Sequence, residues 1–207
     1  MDRWAPADHG RPRALPGSRQ VTLGMLARST SGYAHYVTNP RFVKALYADP
    51  FKHWTPGQLI NYGISERRVF SPPGTSWAFS DTNFVLLGEI LRRVGGRPLP
   101  QLLRAQIFDK LGLRQTANST SSGMPSPVLH GYTSERGVYE DATFGIRAGP
   151  PTPETVTPRW AAWASGVQSL GRGSLLSPTS HALQVGPQNV GLGPFTSDKF
   201  YTGWALG

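Results

Sequence analysis

The residues best placed to do chemistry lie where a Pro-Gly turn leads into an apolar helix. Residues 72–91 read PPGTSWAFSDTNFVLLGEIL, in which Ser80 and Asp81 come shortly before the apolar positions. A hydroxyl and a carboxyl group are thereby held at a helix start, where backbone N–H groups lack partners within the helix. Polar groups in such a place can orient a substrate. The pattern predicts a cleft bordered by Ser80 and Asp81.

The same two residues have a simpler interpretation. Ser and Asp are among the commonest helix N-caps, so they could serve only to start the helix. The apolar spacing at Val85, Leu86, Ile90 and Leu91 predicts a helix over 82–95, capped by Asp81 or Thr82 and stopped at the glycine pair 95–96. Both interpretations stay open at this point.

Further elements are needed to position this helix start. Thr55 followed by Pro56 is a clear helix start, because Thr caps well and Pro is favoured at the first helical position. Residues 1–20 are polar and Pro-rich and are predicted to form an irregular arm. The remaining predictions are a helix over 23–27 capped by Thr22, helices over 41–48 and 98–111, and a weak hairpin over 130–144 around the turn 135–137.

Composition limits the possible classes of function. The chain has 207 residues, enough for one domain with a core, and carries a net charge of +9. Basic charge can attract nucleic acid, but binding needs patches of Lys and Arg. Here the basic residues are dispersed, with only pairs at 67–68 and 92–93. A basic nucleic-acid-binding protein is therefore disfavoured, and no nucleic-acid partner is predicted.

Several other classes lack a signal in this sequence. There is no Cys, so disulfides and thiolate metal sites are excluded. The five His residues are scattered without ligand-like spacing, and we predict neither a metal nor another cofactor. No apolar run approaches the roughly 18 residues of a membrane span. Residues 1–6 lack the apolar core of a signal peptide.

Taken together, these motifs resemble the serine β-lactamase and penicillin-binding-protein family, most closely its class C β-lactamase, D,D-carboxypeptidase and esterase branch. Residues 79–81, Phe-Ser-Asp, resemble the family's Tyr-Ser-Asn or Tyr-Ser-Asp motif, with Phe79 at the Tyr position. Residues 21–32 resemble a segment ending in His-Thr-Ser-Gly, with Ser29 at the His position. Residues 107–116 resemble the segment Pro-Leu-Gly-Met-x-x-Thr. The resemblance is looser over 160–207, where 191–193 resemble the Tyr-Gly-Leu-Gly strand and Tyr201, Thr202 and Gly203 stand at the place of the Lys/His-Thr-Gly motif.

The resemblance implies a mixed α/β fold of the β-lactamase/transpeptidase type. The helical subdomain would be largely present and the antiparallel sheet subdomain incomplete, so that 21–207 would form a partial serine hydrolase domain and the chain would be a truncated fragment. It also implies an extracytoplasmic or secreted location, for which residues 1–6 supply no visible signal.

The family cleaves amides or esters through a serine acyl-enzyme, and its nucleophile comes from a Ser-x-x-Lys turn that places base and serine together. This sequence has no Ser-x-x-Lys; the nearest match, Thr196 to Lys199, fits chance better than function. The resemblance implies that Phe79, Ser80 and Asp81 stand at catalytic positions, although the family's Tyr moves a proton there and Phe79 cannot. It also implies that Tyr201, Thr202 and Gly203 bind the substrate.

The resulting hypothesis is a β-lactamase-related serine hydrolase acting on a β-lactam, a D-Ala-D-Ala peptide or a small ester. The substrate would be a small molecule or a peptide. Because Ser-x-x-Lys is absent, this polypeptide alone is expected to be inactive. The alternative is a non-catalytic remnant or binding protein that retains the substrate cleft.

Overall fold

A computed structural model describes residues 15–114, 116–118, 128–143, 168–169 and 171–185. In chain order the α-helices are α1 (Leu23–Ala27), α2 (Pro40–Ala48), α3 (Pro56–Ile64), α4 (Asp81–Gly95), α5 (Leu99–Leu103) and α6 (Pro178–Val185). Short 3₁₀ turns occupy Ser18–Gln20 and Tyr36–Thr38, and a π-helical turn occupies Arg104–Phe108.

The predicted helix starts at Thr22 and Thr55 are confirmed. The Thr22 hydroxyl accepts from the Met25 N–H at 3.2 Å. Thr55 forms a complete capping box with Gln58: its hydroxyl accepts from the Gln58 N–H, and the Gln58 side chain accepts from the Thr55 N–H. These caps satisfy backbone donors that a helix start otherwise leaves without partners.

Helix α4 is the central element, and its predicted cap is wrong. The helix starts one residue earlier than predicted, with Ser80 at the N-cap position, and no side chain caps it. The hydroxyls of Ser80 and Thr82 instead donate to the carbonyl of Ala34. The end is as predicted, because Gly96 has φ 63°, a left-handed conformation that glycine adopts without a steric penalty.

The core lies between α4 and the helices before it. Val85 and Leu86 are buried, but Leu91, another of the apolar positions from which this helix was predicted, is 45% exposed. Each helical residue turns the chain by about 100°, which places Leu91 on the far side of α4 from Leu86. The buried cluster consists of Leu26, Tyr33, Tyr36, Phe42, Leu46, Trp54, Leu59, Ile60, Val85 and Leu86.

Helices α3 and α4 pack closely at Gly63. A Cβ placed on Gly63 would lie 2.6 Å from Cγ2 and 2.9 Å from Cβ of Thr82, closer than carbon atoms approach in proteins. Glycine therefore lets the two backbones approach at the first turn of α4. This contact holds the start of α4 against the rest of the helical layer.

The predicted helix over 98–111 is only partly α-helical. After Leu103 the turn widens, and the N–H groups of Asp109 and Leu113 bond to carbonyls five residues earlier. Leu99 and Phe108, both buried, would lie about two and a half turns apart and on opposite sides of a regular helix. We attribute the wider turn to the burial of Phe108, because the extra residue in the turn brings this side chain back to the side of the helix that is buried at Leu99.

The sheet in the described part of the chain is one antiparallel hairpin of β1 (Tyr132–Thr133) and β2 (Glu140–Asp141). Tyr132 pairs with Asp141 and Thr133 with Glu140, and Gly137 takes φ 81° in the turn. The predicted hairpin is therefore confirmed with shorter strands. The strand predicted at 191–193 and most of the arm over 1–20 lie outside the described residues.

In the described ranges, no helix has the length and apolar character needed to cross a membrane.

Candidate active site

The start of α4 brings together the three residues of the candidate motif. Phe79 is 48% exposed, Ser80 is fully buried, and the Asp81 side chain is 24% exposed. The two neighbours of Ser80 are therefore the members of the motif that can meet a ligand. The buried Ser80 hydroxyl is occupied by its hydrogen bond to the Ala34 carbonyl at 3.1 Å.

This helix start is fixed by the segment 29–36 rather than by its own caps. The Thr82 hydroxyl donates to the Ala34 carbonyl at 2.7 Å and accepts from the Tyr36 N–H at 3.3 Å. The Ser31 hydroxyl donates to Asn83 Oδ1 at 2.6 Å. Ser31, Thr82 and Asn83 are all buried, so these hydrogen bonds are shielded from water.

Backbone bonds extend the same attachment to the residues before α4. The Ala78 N–H donates to the Ser29 carbonyl at 3.0 Å, and the Gly74 N–H donates to the Thr30 carbonyl at 2.7 Å. Ser29 has φ 55°, an uncommon conformation for a residue other than glycine. The segment that resembles Thr-Ser-Gly and the segment that resembles the Tyr-Ser-Asn motif are thus one structural unit.

His35 is a candidate functional residue that the sequence interpretation missed. Its Nδ1 accepts from the Asp81 N–H at 3.2 Å, and its ring packs edge-on against Phe79 with centroids 5.6 Å apart. The spacing of the five His residues indicates only that they do not form a metal site. A signal was available in principle, since His35 lies four residues after Ser31 in the Thr-Ser-Gly segment.

The hydrogen bond from Asp81 defines the state of the His35 ring. A ring nitrogen that accepts a hydrogen bond carries no proton, so this contact favours the neutral imidazole with its proton on Nε2. Burial lowers the pKa of His35 below its usual 6.5, while the Asp81 carboxylate opposes that shift. A neutral imidazole at about pH 7 can take or give a proton, as in general acid–base catalysis.

The environment of the Asp81 carboxylate differs from that of the Asp81 backbone N–H. Its Oδ2 lies 3.8 Å from His35 Nδ1, which is too far for a hydrogen bond but close enough for an ion pair when His35 is protonated. The positive end of the α4 dipole favours a negative charge at this first helical position. The motif therefore presents an acidic group that is partly open to water and lies beside His35 and the exposed ring of Phe79.

Other predicted site residues are not placed here. Tyr201, Thr202 and Gly203 lie outside the described residues, so their predicted role in substrate binding stays a prediction. In the described ranges, no three His, Asp or Glu side chains form a group that could hold a metal ion. One further polar group is notable, because the buried Nδ2 of Asn83 has no hydrogen-bond partner in the part of the chain described.

The comparisons with solved structures concern the fold of the chain. The chain is similar to a D-stereospecific amidohydrolase from Streptomyces sp., with a TM-score of 0.73 and 28% identity, over 81% of this chain and 52% of that one. It is also similar to the penicillin binding protein from Bacillus halodurans, with a TM-score of 0.66 and 20% identity, over 89% of this chain and 55% of that one. The second similarity concerns the fold alone.

Sequence comparison gives a related result. The chain is 30% identical over 110 residues to the lovastatin esterase of Penicillium rubens. This alignment covers 51% of this chain and 26% of the esterase. The chain therefore spans about a quarter of that curated relative and about half of the two solved structures. The predicted fold, the mixed α/β β-lactamase/transpeptidase type, is confirmed by these similarities.

The family itself follows from the extent of one match. The Beta-lactamase family matches residues 2–207, which is almost the whole sequence. The match includes the motif over 79–81 and the segment over 29–32 that the structure joins. The chain belongs to the Beta-lactamase family of β-lactamase-related serine hydrolases.

Proposed function

We propose that the domain to which this chain belongs hydrolyses a small ester or amide through a serine acyl-enzyme. A β-lactam and a D-Ala-D-Ala peptide are further candidate substrates within the same chemistry. The observation that carries the proposal is the start of α4, where Phe79 and Asp81 are presented by a buried network from Ser31 and Ala34. The names of two similar proteins, an esterase and an amidohydrolase, favour the ester or amide.

The members of the motif have separate roles in this proposal. Phe79 gives the substrate an apolar surface, and Asp81 gives it a charged polar contact. Ser80 holds the helix start in place, since its hydroxyl is fully buried. Tyr201, Thr202 and Gly203 would bind the substrate at the position of the family's third motif. The proton transfer that the family assigns to Tyr at position 79 would need another group.

The 207-residue polypeptide is proposed to form no acyl-enzyme by itself. Serine is a weak nucleophile without an adjacent base, and the sequence contains no Ser-x-x-Lys pair. The alternative proposal is a non-catalytic protein that binds a substrate-like ligand. Phe79 favours that alternative, because it removes a hydroxyl from the position where proton transfer would occur.

Mass spectrometry after incubation with a β-lactam and with a reactive ester tests whether the 207-residue chain can form an acyl-enzyme. We expect no stoichiometric covalent adduct on the 207-residue chain. An adduct on any serine would overturn this expectation and would identify the nucleophile, with Ser80→Ala as a check that the motif serine is not the one modified.

The genomic sequence upstream of Met1 separates hydrolase from binding protein. An in-frame Ser-x-x-Lys, together with ester or amide hydrolysis by the longer polypeptide, would support the hydrolase. A longer polypeptide that carries the pair and hydrolyses none of the candidate substrates would favour the binding protein.

A further inference from the structure

A cavity of about 290 Å³ lies where the first turn of α2 and the loop over 49–55 meet α3. Two cationic side chains line it, Arg41 from α2 and Lys52 from the loop. Trp54, Gln58 and Tyr62 line it as well, and among the described residues no Asp or Glu does. None of these residues belongs to the motif over 79–81 or to the segment over 29–36, so the candidate active site does not account for them.

In the described ranges, neither cation of this cavity has an acidic partner, because the ion pairs there involve other residues. The C-terminal end of α3 reaches the same cavity at Ser65. The dipole of that helix end is equivalent to about half a negative charge, which two unit positive charges outweigh. The cavity therefore presents a net positive charge to a ligand.

The Arg41 guanidinium is held in place at the end of α3. Its Nη2 donates to the Ser65 hydroxyl at 2.9 Å, and that hydroxyl donates to the Tyr62 carbonyl at 2.9 Å. The Arg41 backbone is fixed as well, because its N–H donates to Oδ1 of the buried Asn39 at 2.9 Å. A guanidinium has further N–H donors in a planar fork, which matches the oxygens of an oxyanion.

Lys52 and Trp54 supply a second set of donors. The Lys52 ammonium lies 4.3 Å from the centroid of the Trp54 ring, a cation–π distance. That ring is buried against those of Phe42, at 5.2 Å, and Tyr62, at 5.7 Å between centroids. Its Nε1 is buried and has no hydrogen-bond partner in the part of the chain described. Because a buried indole N–H usually has an acceptor, an oxygen of a ligand would complete this wall of the cavity.

Gln58 presents a donor as well. Its Oε1 accepts from the Thr55 N–H at 2.9 Å in the capping box of α3. The other polar atom of its amide is Nε2, which can only donate. The cavity thus has four residues with N–H donors to offer: Arg41, Lys52, Trp54 and Gln58.

We propose that this cavity binds a compact dianion of the phosphate class, either inorganic phosphate or the phosphate group of a small monoester. A phosphate group carries about −1.5 to −2 charges at pH 7 and three strong acceptor oxygens, which match two cations and two further donors. A carboxylate has one charge and leaves one cation without a partner. The volume is at the lower end of the range for drug-sized ligands, about 300–1,000 Å³, which favours a small ligand.

Chemical-shift titration of the 207-residue chain with sodium phosphate at constant ionic strength tests the proposal. The backbone amides of 52–65 give the dissociation constant. The indole N–H of Trp54, assigned by its loss in Trp54→Phe, reports an acceptor at Nε1. Acetate and malonate, a dicarboxylate, are compared under the same conditions. We expect phosphate to bind about tenfold more tightly than acetate, as one additional charge-assisted contact provides, and more tightly than malonate.

Two variants with matched controls separate the cavity from the general attraction of a chain with a net charge of +9. Arg41→Gln and Lys52→Gln should each weaken phosphate binding about tenfold. Arg97→Gln and Lys110→Gln remove the same charge from exposed residues that do not line the cavity, and should leave binding unchanged.

Methyl phosphate identifies the source of the phosphate group. If it binds more tightly than inorganic phosphate, the ligand is a monoester; otherwise the ligand is the free ion. Circular dichroism spectra equal to that of wild type show that Arg41→Gln and Lys52→Gln are folded, so that weaker binding reports the lost charge.

Three outcomes would overturn the proposal. One is the absence of a saturable shift at 52–65 up to about 50 mM phosphate, well above the dissociation constants of millimolar sites. The others are acetate or malonate binding as tightly as phosphate, and Arg41→Gln and Lys52→Gln binding phosphate as tightly as their controls. A Trp54 indole resonance that does not move at saturation would overturn the role of Nε1. These measurements need no nucleophile, so they are independent of the tests of hydrolysis.

Discussion

The Ser31 hydroxyl donates a 2.6 Å hydrogen bond to Asn83 Oδ1, joining two fully buried residues that are 52 positions apart in the chain. Ser31 also accepts from the Tyr33 N–H at 3.1 Å. The same side chain thus shapes its own loop and holds the first turn of α4. Its loss would affect both segments of the candidate site.

Ser31→Ala should lower the free energy of unfolding by about 1–3 kcal/mol, because it leaves a buried Asn83 oxygen without a donor. Urea denaturation followed by circular dichroism measures the change. Ser174→Ala is the matched control, since Ser174 is exposed, and it should stay within about 0.5 kcal/mol of wild type. Equal effects of the two substitutions would contradict a structural role for the Ser31–Asn83 bond.

Gly63→Ala should destabilise the protein although alanine favours helix over glycine by about 1 kcal/mol. The new methyl group would overlap Thr82 and force α3 away from α4, at a cost of about 1–3 kcal/mol or more. Thermal denaturation is the measurement. Gly131→Ala, where nothing lies within 4 Å of the added Cβ, is the control; a Gly63→Ala protein as stable as this control would show that the helices tolerate the separation.

Thr55→Ala should cost about 1 kcal/mol of stability, because it removes the acceptor for the Gln58 N–H at the start of α3. Thr55→Ser keeps the hydroxyl and should be close to wild type in the same denaturation experiment. If both variants lose the same stability, the methyl group of Thr55 matters rather than the cap.

Asp141 should titrate at an unusually low pH. Hydrogen bonds from the Thr143 side chain and backbone, with a smaller contribution from His130, lower its pKa to about 2. The pKa is lowered by folding, so the hairpin contact is complete above the ordinary pKa near 3.8 and is lost as the pH falls toward 2. Carboxyl ¹³C NMR measures this titration.

Thr143→Val provides the comparison for Asp141. It removes the hydroxyl contribution and should raise the pKa of Asp141 toward 3.8, while the backbone N–H contact at 2.8 Å persists. An unchanged titration in Thr143→Val would mean that the hydroxyl does not act on this carboxylate.

Phe79→Tyr should not produce a covalent adduct with a β-lactam or a reactive ester in the 207-residue chain. General acid–base assistance is worth about 10²–10⁴-fold, but it multiplies a covalent step that needs a nucleophile. Mass spectrometry of wild type and Phe79→Tyr after equal incubation measures the difference. Adduct formation by the variant alone would show that the hydroxyl at position 79 was the missing group.

Much of the helical layer could be predicted from the sequence because its signals are local. Thr22, Thr55 and Gly96 mark helix ends through bonds or dihedral angles within a few residues of themselves. The hairpin around 137 was predicted for the same reason. Such signals need no knowledge of the tertiary structure.

The parts that could not be predicted depend on distant residues. The cap of α4 was predicted as a local feature, but the hydroxyls of Ser80 and Thr82 bond to Ala34, some 46 to 48 positions away. His35 was missed because its contact with Asp81 also spans 46 positions. The residues of the motif could be identified from the sequence. Their hydrogen-bond partners could be identified only from the structure.

This dependence on Ala34 has a consequence for the order of folding. The first turn of α4 lacks a side-chain cap of its own, so an isolated peptide over 72–96 should have a frayed start even if its middle is helical. The motif can acquire its geometry only after a loop of nearly 50 residues has closed onto it, which carries an entropic cost before any contact is gained. The candidate site should therefore be among the last parts of the helical layer to form.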